Sequence, residues 1–599
     1  MAVSNDEQGG SRGFPNEAGF GAEFLAGDGY PTWPNLPVMM FSRALEWRDR
    51  PAVWAKSGET WQPTTWIELG QAAAGLAASL REAGVGPGDR VLLLAENRPE
   101  WPIADLAIMS IRGVAVPAYT TFTAADIAHV LADSGARAAV VSTKALAGRL
   151  MEGATLSAER GGGLDLVVAM EDAGDIPGVR VLGWQEATAR PPLPGFRDEV
   201  LAIPPEQTAC LIYTSGTGGA PKGVMLPHRA LLSNCQGAWE LLKPLDLRDE
   251  TYLSFLPLSH SYEHTCGQFF LLSIGTQVYY ASGADRIAPE MMEVRPTVMT
   301  AVPRLFEVIR SRILAGVKRE PKWKRDLFVA ALALGARKVR GQSLGPTGWF
   351  ADVALDWLVR RKVRARFGGR LKGIMSGGAR LDPDVGGFFL ALGIPIMQGY
   401  GQTEAGPVIS ANPPGGIRID TVGLPLPNVE VRIAEDGEIL VRGDLVMQGY
   451  WNNPAATAEA IRDGWLHTGD VGSLDDDGYL RITDRKREII KTTGGDMVSP
   501  ARVEGILAQQ GAIAQVVVAG DGRAHLVALI VAAEGSDEKE VARAVDDANR
   551  ALTVTERIRF WRAVPAFTIE NGLMTSTQKI RRQIILREHA AMVEGMYRG

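Results

Sequence analysis

The stretch Tyr213-Thr-Ser-Gly-Thr-Gly-Gly-Ala-Pro-Lys222-Gly223 concentrates the chemistry of this chain. Directly after an apolar run it places three hydroxyls (Thr214, Ser215, Thr217), three glycines (Gly216, Gly218, Gly219) and one lysine. A loop of that composition can wrap backbone N–H groups and a cation around phosphate oxygens. It is not a Walker loop, because Lys222 follows Pro221, and it lacks the last glycine of a dinucleotide fingerprint. A second grouping, His260-Ser-Tyr-Glu263-His264, fits the H-x-x-E-H pattern in which two histidines bind zinc and a glutamate acts as general base. Against that reading, Phe255-Leu-Pro-Leu-Ser259 reads as a strand entering a loop, and no third ligand is placed. A zinc hydrolase using His260, Glu263 and His264 is therefore a remote alternative.

Further along the chain stand Leu256-Pro-Leu-Ser-His260, Ser376-Gly-Gly-Ala379, Tyr400-Gly-Gln-Thr-Glu404, Gly437-Glu-Ile-Leu-Val-Arg-Gly443, Gly449-Tyr-Trp451, Thr468-Gly-Asp470, Asp484-Arg485 and Lys579. With the glycine-rich loop, this ordered set resembles the adenylate-forming superfamily of acyl-CoA synthetases, luciferases and peptide-synthetase adenylation domains. It is most similar to the long-chain fatty acyl-CoA synthetases. The resemblance implies that ATP and a fatty acid carboxylate form acyl-AMP with loss of pyrophosphate, and that coenzyme A then takes the acyl group. A fatty acyl-AMP ligase loading a carrier-protein thiol is the alternative within the superfamily.

The same resemblance assigns roles. Thr214, Ser215, Gly216, Thr217 and Lys222 would hold phosphates, and Thr214 and Glu404 would bind Mg²⁺, a hard ion suited to oxygen ligands. Gly378, Ala379, Tyr400, Gly401 and Thr403 would meet the base and its surroundings; Asp470 and Arg485 would hold the ribose. Lys579 would bridge carboxylate and α-phosphate, and Arg487 would mark the hinge. His260, Tyr262 and His264 border the expected acyl pocket. Two residues depart from the family pattern: Gly218 where a second threonine is usual, and Arg487 where Asp or Lys is usual.

The elements that must position these groups can be read from periodicity. Trp66 to Ala83 has helical spacing, Val91 to Ala95 and Arg137 to Ser142 are compact apolar strands, Ala124 to Asp133 is helical, and Thr208 to Thr214 is again a strand. Such alternation predicts an α/β fold with mainly parallel sheets. Arg190 to Pro205, rich in proline, reads as a connector. Beyond Thr421, short strands at Val429 to Ile433, Glu438 to Arg442 and Tyr479 to Thr483 predict a β-rich subdomain. The expected organisation is a large N-terminal domain of stacked, mainly parallel sheets with helices over 1–483, its β-rich subdomain at about 421–483. A hinge at 484–487 and a small mobile α+β lid at 488–599 complete it.

Composition agrees with an enzyme of several cores. The 599 residues are 46% apolar and 22% charged, ordinary for a globular protein, and a net charge of −6 excludes a surface devoted to nucleic acid. Three widely spaced cysteines argue against a disulfide framework and suit a reducing cytoplasm. Met1 to Gly10 lacks the pattern of a secretory signal, and no run is long enough to span a bilayer. Charge is uneven: 310–370 holds 16 Lys or Arg against four acids, net +12, which leaves −18 on the rest. Leu327, Ala331, Leu334, Trp349, Phe350, Leu355 and Leu358 lie among those charges. Two readings stay open, solvated helices or peripheral contact with an anionic membrane at its inner face. Oligomeric state is not legible.

Overall fold

The computed structural model describes residues 22–25, 29–159, 162–174, 176–214, 220–486, 488–575 and 579–598. By contacts the chain divides into two compact units. One takes the chain up to Tyr213, then Gly223–Glu430 and Arg442–Glu459; the other takes Thr214–Lys222, Val431–Val441 and Ala460 onward.

Two sheets dominate the first unit. In one, among the described residues, eight strands follow the order Gly449–Tyr450, Lys222–Pro227, Thr208–Thr214, Val114–Ala118, Arg90–Leu94, Ala138–Val141, Leu166–Ala169 and Arg180–Gly183. From Thr208–Thr214 onward the neighbours run parallel. These strands are short and almost wholly apolar, as expected of strands covered on both faces by crossover helices. The helix Trp66–Glu82 starts on a capping box in which Thr65 and Glu68 satisfy each other's exposed N–H groups; Ala124–Ser134 starts likewise on Thr123 and Asp126 and stops at Gly135, whose φ is 65°.

The other sheet has a parallel centre, Ile396–Gly401, Gly373–Ser376, Val298–Ala301, Thr251–Ser254, Gln277–Tyr280 and Pro51–Ser57, edged by antiparallel strands. Parallel strands end at the same side, so the loops after Ser254, Ser376 and Gly401 emerge together. Those loops carry the Leu-Pro-Leu-Ser-His, Ser-Gly-Gly-Ala and Tyr-Gly-Gln-Thr-Glu motifs.

In the second unit, short antiparallel strands include Glu438–Arg442, Trp465–Leu474 and Leu480–Arg485. Its C-terminal part is a three-stranded sheet, Ile513–Ala519, Leu526–Ala532 and Ile558–Ala563, with helices on both faces. Alternate residues sort cleanly: Val516, Val518, Leu526, Ala528 and Ile530 pack with Val503, Leu507 and Val541, while Val517, Val527, Leu529 and Val531 pack with Phe567, Ile585 and Met596. The period of two places each side chain.

Two sequence expectations change, and one segment adds an unexpected geometry. The proline-rich connector contains a short helix, Phe196–Leu201. The strand before Pro257 ends at Ser254, ahead of Phe255. The segment after Tyr262 is a wide π-helical stretch, Glu263–Phe270. Among the described residues, no helix is long and apolar enough to cross a membrane.

Candidate active site

Three side chains of one segment, Ser261, Tyr262 and Thr265, tie the first unit's motif loops to one another. Ser261 Oγ lies 3.0 Å from Thr403 Oγ1. Tyr262 donates its hydroxyl to the carbonyl of Met375 at 2.9 Å, and its ring covers Gly377, where an added Cβ would lie 2.9 Å from the ring carbon Cζ. Thr265 donates to the carbonyl of Gly406 at 3.1 Å. The motifs Ser376-Gly-Gly-Ala379 and Tyr400-Gly-Gln-Thr-Glu404 are thus both held by one segment.

Glu263 anchors that segment from below. Its Oε1 is 2.7 Å from the Tyr252 hydroxyl and 2.6 Å from Ser254 Oγ; its Oε2 is 2.8 Å from both Tyr252 Oη and Thr300 Oγ1. Gly267 makes room, since a Cβ there would meet the Glu263 carboxyl carbon at 2.4 Å. Burial raises the Glu263 pKa to about 7, and the hydrogen bonds from Ser254, Tyr252 and Thr300 oppose that rise. Asn97 extends the network, donating to Ser254 Oγ at 3.0 Å and to the carbonyl of Leu256 at 2.7 Å, and accepting from the N–H of Leu258 at 3.0 Å.

These directions overturn the zinc alternative. Glu263 faces Tyr252 and Thr300; His264 Nε2 faces Asp105 Oδ2 at 2.8 Å, both groups fully buried; His260 Nδ1 accepts the N–H of Tyr262 at 3.1 Å. Three side chains aimed at three different partners do not make a coordination sphere. His264 has no exposed surface and packs against Trp101 and Phe269. His260 is half-buried near Tyr119, and Tyr262 lies beside the Ser-Gly-Gly turn.

Around the glycine-rich loop, one strand ends on Thr214 and the next begins on Lys222, both half-buried; Ser215, Gly216 and Thr217 lie outside the described residues, as does Arg487. Gly223 is wedged where a Cβ would meet Tyr213 Cζ at 3.1 Å and Trp451 Cβ at 3.3 Å. The strand Gly449–Tyr450 pairs there, Tyr450 opposite Val224, and the Tyr450 hydroxyl donates to Glu404 Oε1 at 2.8 Å. Tyr400 is half-buried at the end of its strand. Gly401 is obligatory, because a Cβ would sit 1.9 Å from the carbonyl oxygen of Pro407. Gly378 has φ of 77°, which lets the turn reverse before Ala379.

In the second unit, Asp470 and Arg485 are cross-strand partners, with Arg485 Nε 3.3 Å from Asp470 Oδ1. Gly469 at φ 72° turns the strand there. Glu438 holds the turn: it accepts from the Gly469 N–H at 2.9 Å and Lys486 Nζ at 3.0 Å, and lies 3.1 Å from His467 Nδ1. Burial works to raise the Glu438 pKa, but the bonds from His467, Lys486 and Gly469 outweigh it and hold the carboxyl below its ordinary value. Lys579 is exposed on a closed loop. The Thr575 N–H donates to its carbonyl at 2.8 Å, its own N–H donates to Thr575 Oγ1 at 3.0 Å, and Met574 bridges Ile580.

Sequence reasoning missed Asn97, Tyr252 and Thr300, and gave Glu438 and Tyr450 no task. Those last two had a signal, their places inside Gly437-Glu-Ile-Leu-Val-Arg-Gly443 and Gly449-Tyr-Trp451.

Residues 40–451 match the model of the AMP-binding enzyme family, and residues 487–599 match that of the AMP-binding enzyme C-terminal domain. The chain belongs to the AMP-binding enzyme family. A long-chain-fatty-acid–CoA ligase of Mycobacterium bovis, FadD15, is 33% identical, covering 94% of this chain and 97% of that one. Among solved structures, the adenylation domain of a carboxylate reductase from Mycobacterium chelonae shares the fold with a TM-score of 0.73 at 20% identity, covering 94% of this chain and 91% of the other. O-succinylbenzoate coenzyme A synthetase from Bacillus subtilis, solved with ATP and magnesium ion, gives 0.68 at 21% identity, covering 91% and 98%.

The family assignment leaves the buried carboxyl to be tested directly. Between its ordinary value of 4.5 and about 7, Glu263 holds a proton in the fold that the unfolded chain releases. The unfolded state then binds fewer protons, so this group's contribution to stability falls as pH rises through that window and is flat above it. Glu263→Gln keeps shape and lacks the titration. Melting temperature followed from about pH 5 to about pH 7 should show the native protein losing ground to the variant; a constant offset between the two would contradict the assignment.

Proposed function

We propose that the protein is an ATP- and Mg²⁺-dependent acid–thiol ligase that converts long-chain fatty acids to acyl-CoA. The observation that carries this reading is that the phosphate loop, Tyr400 to Glu404, Asp470 with Arg485, and Lys579 all stand, in order, in a chain that matches the family from residue 40 to 451 and from 487 to 599. Identity to the fatty acid ligase over nearly the full length of both chains supports the substrate class.

A carboxylate is a poor acyl donor because its leaving group would be oxide. In the first step a carboxylate oxygen attacks the α-phosphorus of ATP, the bond to the β-phosphate breaks, and pyrophosphate departs with the electron pair. In the second, the coenzyme A thiolate attacks the acyl carbon and AMP leaves. Both reactants of the first step are anionic, so aligned cations and N–H dipoles lower its barrier by several kcal/mol. Lys222 and the residues from Thr214 to Thr217 take the phosphates, Tyr400 the adenine face beside the Gly378-Ala379 turn, and Asp470 accepts from the ribose hydroxyls while Arg485 donates beside it. Lys579 supplies the cation that carboxylate and α-phosphate share.

Glu404, its carboxylate braced by the Tyr450 hydroxyl, offers the hard oxygen ligand that a magnesium ion takes, and the Thr214 hydroxyl is of the same chemical kind. When bound, that ion neutralises phosphate charge as pyrophosphate leaves. We assign 484–487 as the hinge and 488–599 as the lid, supported by the start of the C-terminal family match at residue 487. Three free thiols, Cys210 and Cys235 buried and Cys266 partly so, suit a reducing compartment, and we place the enzyme in the cytoplasm.

Lys579→Ala should abolish fatty-acid-dependent exchange of labelled pyrophosphate into ATP while leaving acyl-CoA formation from supplied acyl-AMP largely intact; normal exchange by the variant would remove the lysine from the adenylating step. Tyr450→Phe frees Glu404 from its brace and should raise the Mg²⁺ concentration needed for half-maximal rate about tenfold. An unchanged Mg²⁺ requirement would show that Glu404 does not hold the ion.

A further inference from the structure

The helix Gly345–Leu355 and its π-helical continuation Asp356–Arg360 are inside out. An ordinary surface helix turns its apolar stripe to the core and its charges to water. Here Asp352 and Arg360, 6% and 3% exposed, are buried along with Leu355, and Arg360 Nη1 lies 2.6 Å from Asp352 Oδ1; Arg360 Nη2 also donates to the carbonyl of Ala331 at 2.8 Å. Facing outward instead are Trp349, Phe350 and Trp357, 57%, 68% and 66% exposed, with Val353 and Leu358 beside them. Their spacing of i, i+1, i+4, i+8 and i+9 makes one continuous stripe. Trp349 and Phe350 pack edge to face with ring centroids 5.0 Å apart, so the stripe is a preformed aromatic ridge.

Burying a charge pair while leaving three large rings in water is costly in both directions. The fold therefore gains nothing from this orientation unless something covers the rings. Along the same axis the ridge runs into exposed Arg361, Lys362 and Arg366 in and just beyond the helix Arg361–Ala365, and Trp357 to Arg370 contains six Lys or Arg and no acid. Lys322, Lys324 and Arg325 add exposed cations around Trp323, itself 62% exposed at the start of the neighbouring helix Lys322–Val339.

We infer that this ridge docks the protein on an anionic lipid bilayer, with the rings at the level of the headgroups and the cations on lipid phosphates. Tryptophan and phenylalanine beside Lys and Arg on one outward face is the composition that an interfacial helix requires. A second copy of the chain would bring the same positive charge to the same face, which disfavours self-association through it. Ala331 and Leu355, read from the sequence as members of the apolar face, are buried, and Leu327 and Leu334 half-buried; they hold the helices to the domain and are not part of the ridge.

The test is co-sedimentation of the full chain with phosphatidylcholine vesicles made with and without phosphatidylglycerol, at low and high salt. The protein should pellet with the anionic vesicles and be released by salt. Trp349→Gln/Phe350→Gln/Trp357→Gln should weaken that binding at least about tenfold, as should Arg361→Gln/Lys362→Gln, with melting temperatures at or above that of the native protein. Equal binding to neutral vesicles, salt-insensitive binding, or full retention by either variant would overturn the proposal. So would conversion of a dimer to a monomer by the triple variant, which would assign the ridge to a second copy of the chain.

Discussion

One buried carboxyl carries the arrangement on the first unit. Glu263 is held by hydroxyls from two different sheet strands, Tyr252 and Ser254 on one and Thr300 on its neighbour, and it fixes the position of the residues on either side of it. Ser261, Tyr262 and Thr265 are then obliged to meet Thr403, the Ser-Gly-Gly turn and Gly406. Such a network stabilises only if it is fully satisfied, because a lone carboxyl at that depth is costly. The glycine at 267 and the widened helical turn follow from the same need, since a regular turn bearing a side chain there would occupy the carboxyl's space.

The positions of the strand ends explain why the motifs are loops. Parallel strands deliver their C-terminal ends to one side of a sheet, and ligands of open α/β folds bind outside those ends. Tyr400 and the Ser376 to Ala379 turn follow neighbouring parallel strands, so their separation is set by strand spacing and not by loop flexibility. Asp470 and Arg485 use antiparallel pairing to the same purpose, residue opposite residue. Each of these groups thereby stands on paired strand backbone, the kind of fixed support that electrostatic catalysis uses.

Much of this was readable from the chain alone where periodicity or a contiguous motif carried the signal. The helix from Trp66 and the strand Thr208–Thr214 follow directly from apolar spacing, and Tyr400 to Glu404 is a single run of residues. What could not be read joins distant segments. Asn97, Tyr252 and Thr300 are separated by some two hundred residues and meet through Glu263 only after the sheet has formed. His264 matched a metal-ligand spacing, yet spacing along a helix says nothing about Asp105, which arrives from another helix and claims it. The basic segment shows the same limit in reverse: with Asp352 and Arg360 paired inward, no hydrophobicity pattern reveals which side of the helix faces water.

The account stands on acid activation by ATP. Its most direct test is pyrophosphate release by the purified protein with acids of two to eighteen carbons, each with and without coenzyme A. The account predicts release that depends on a long-chain acid and on magnesium, with sustained turnover only when coenzyme A is present. Absence of release with every acid, or sustained turnover indifferent to coenzyme A, would contradict it.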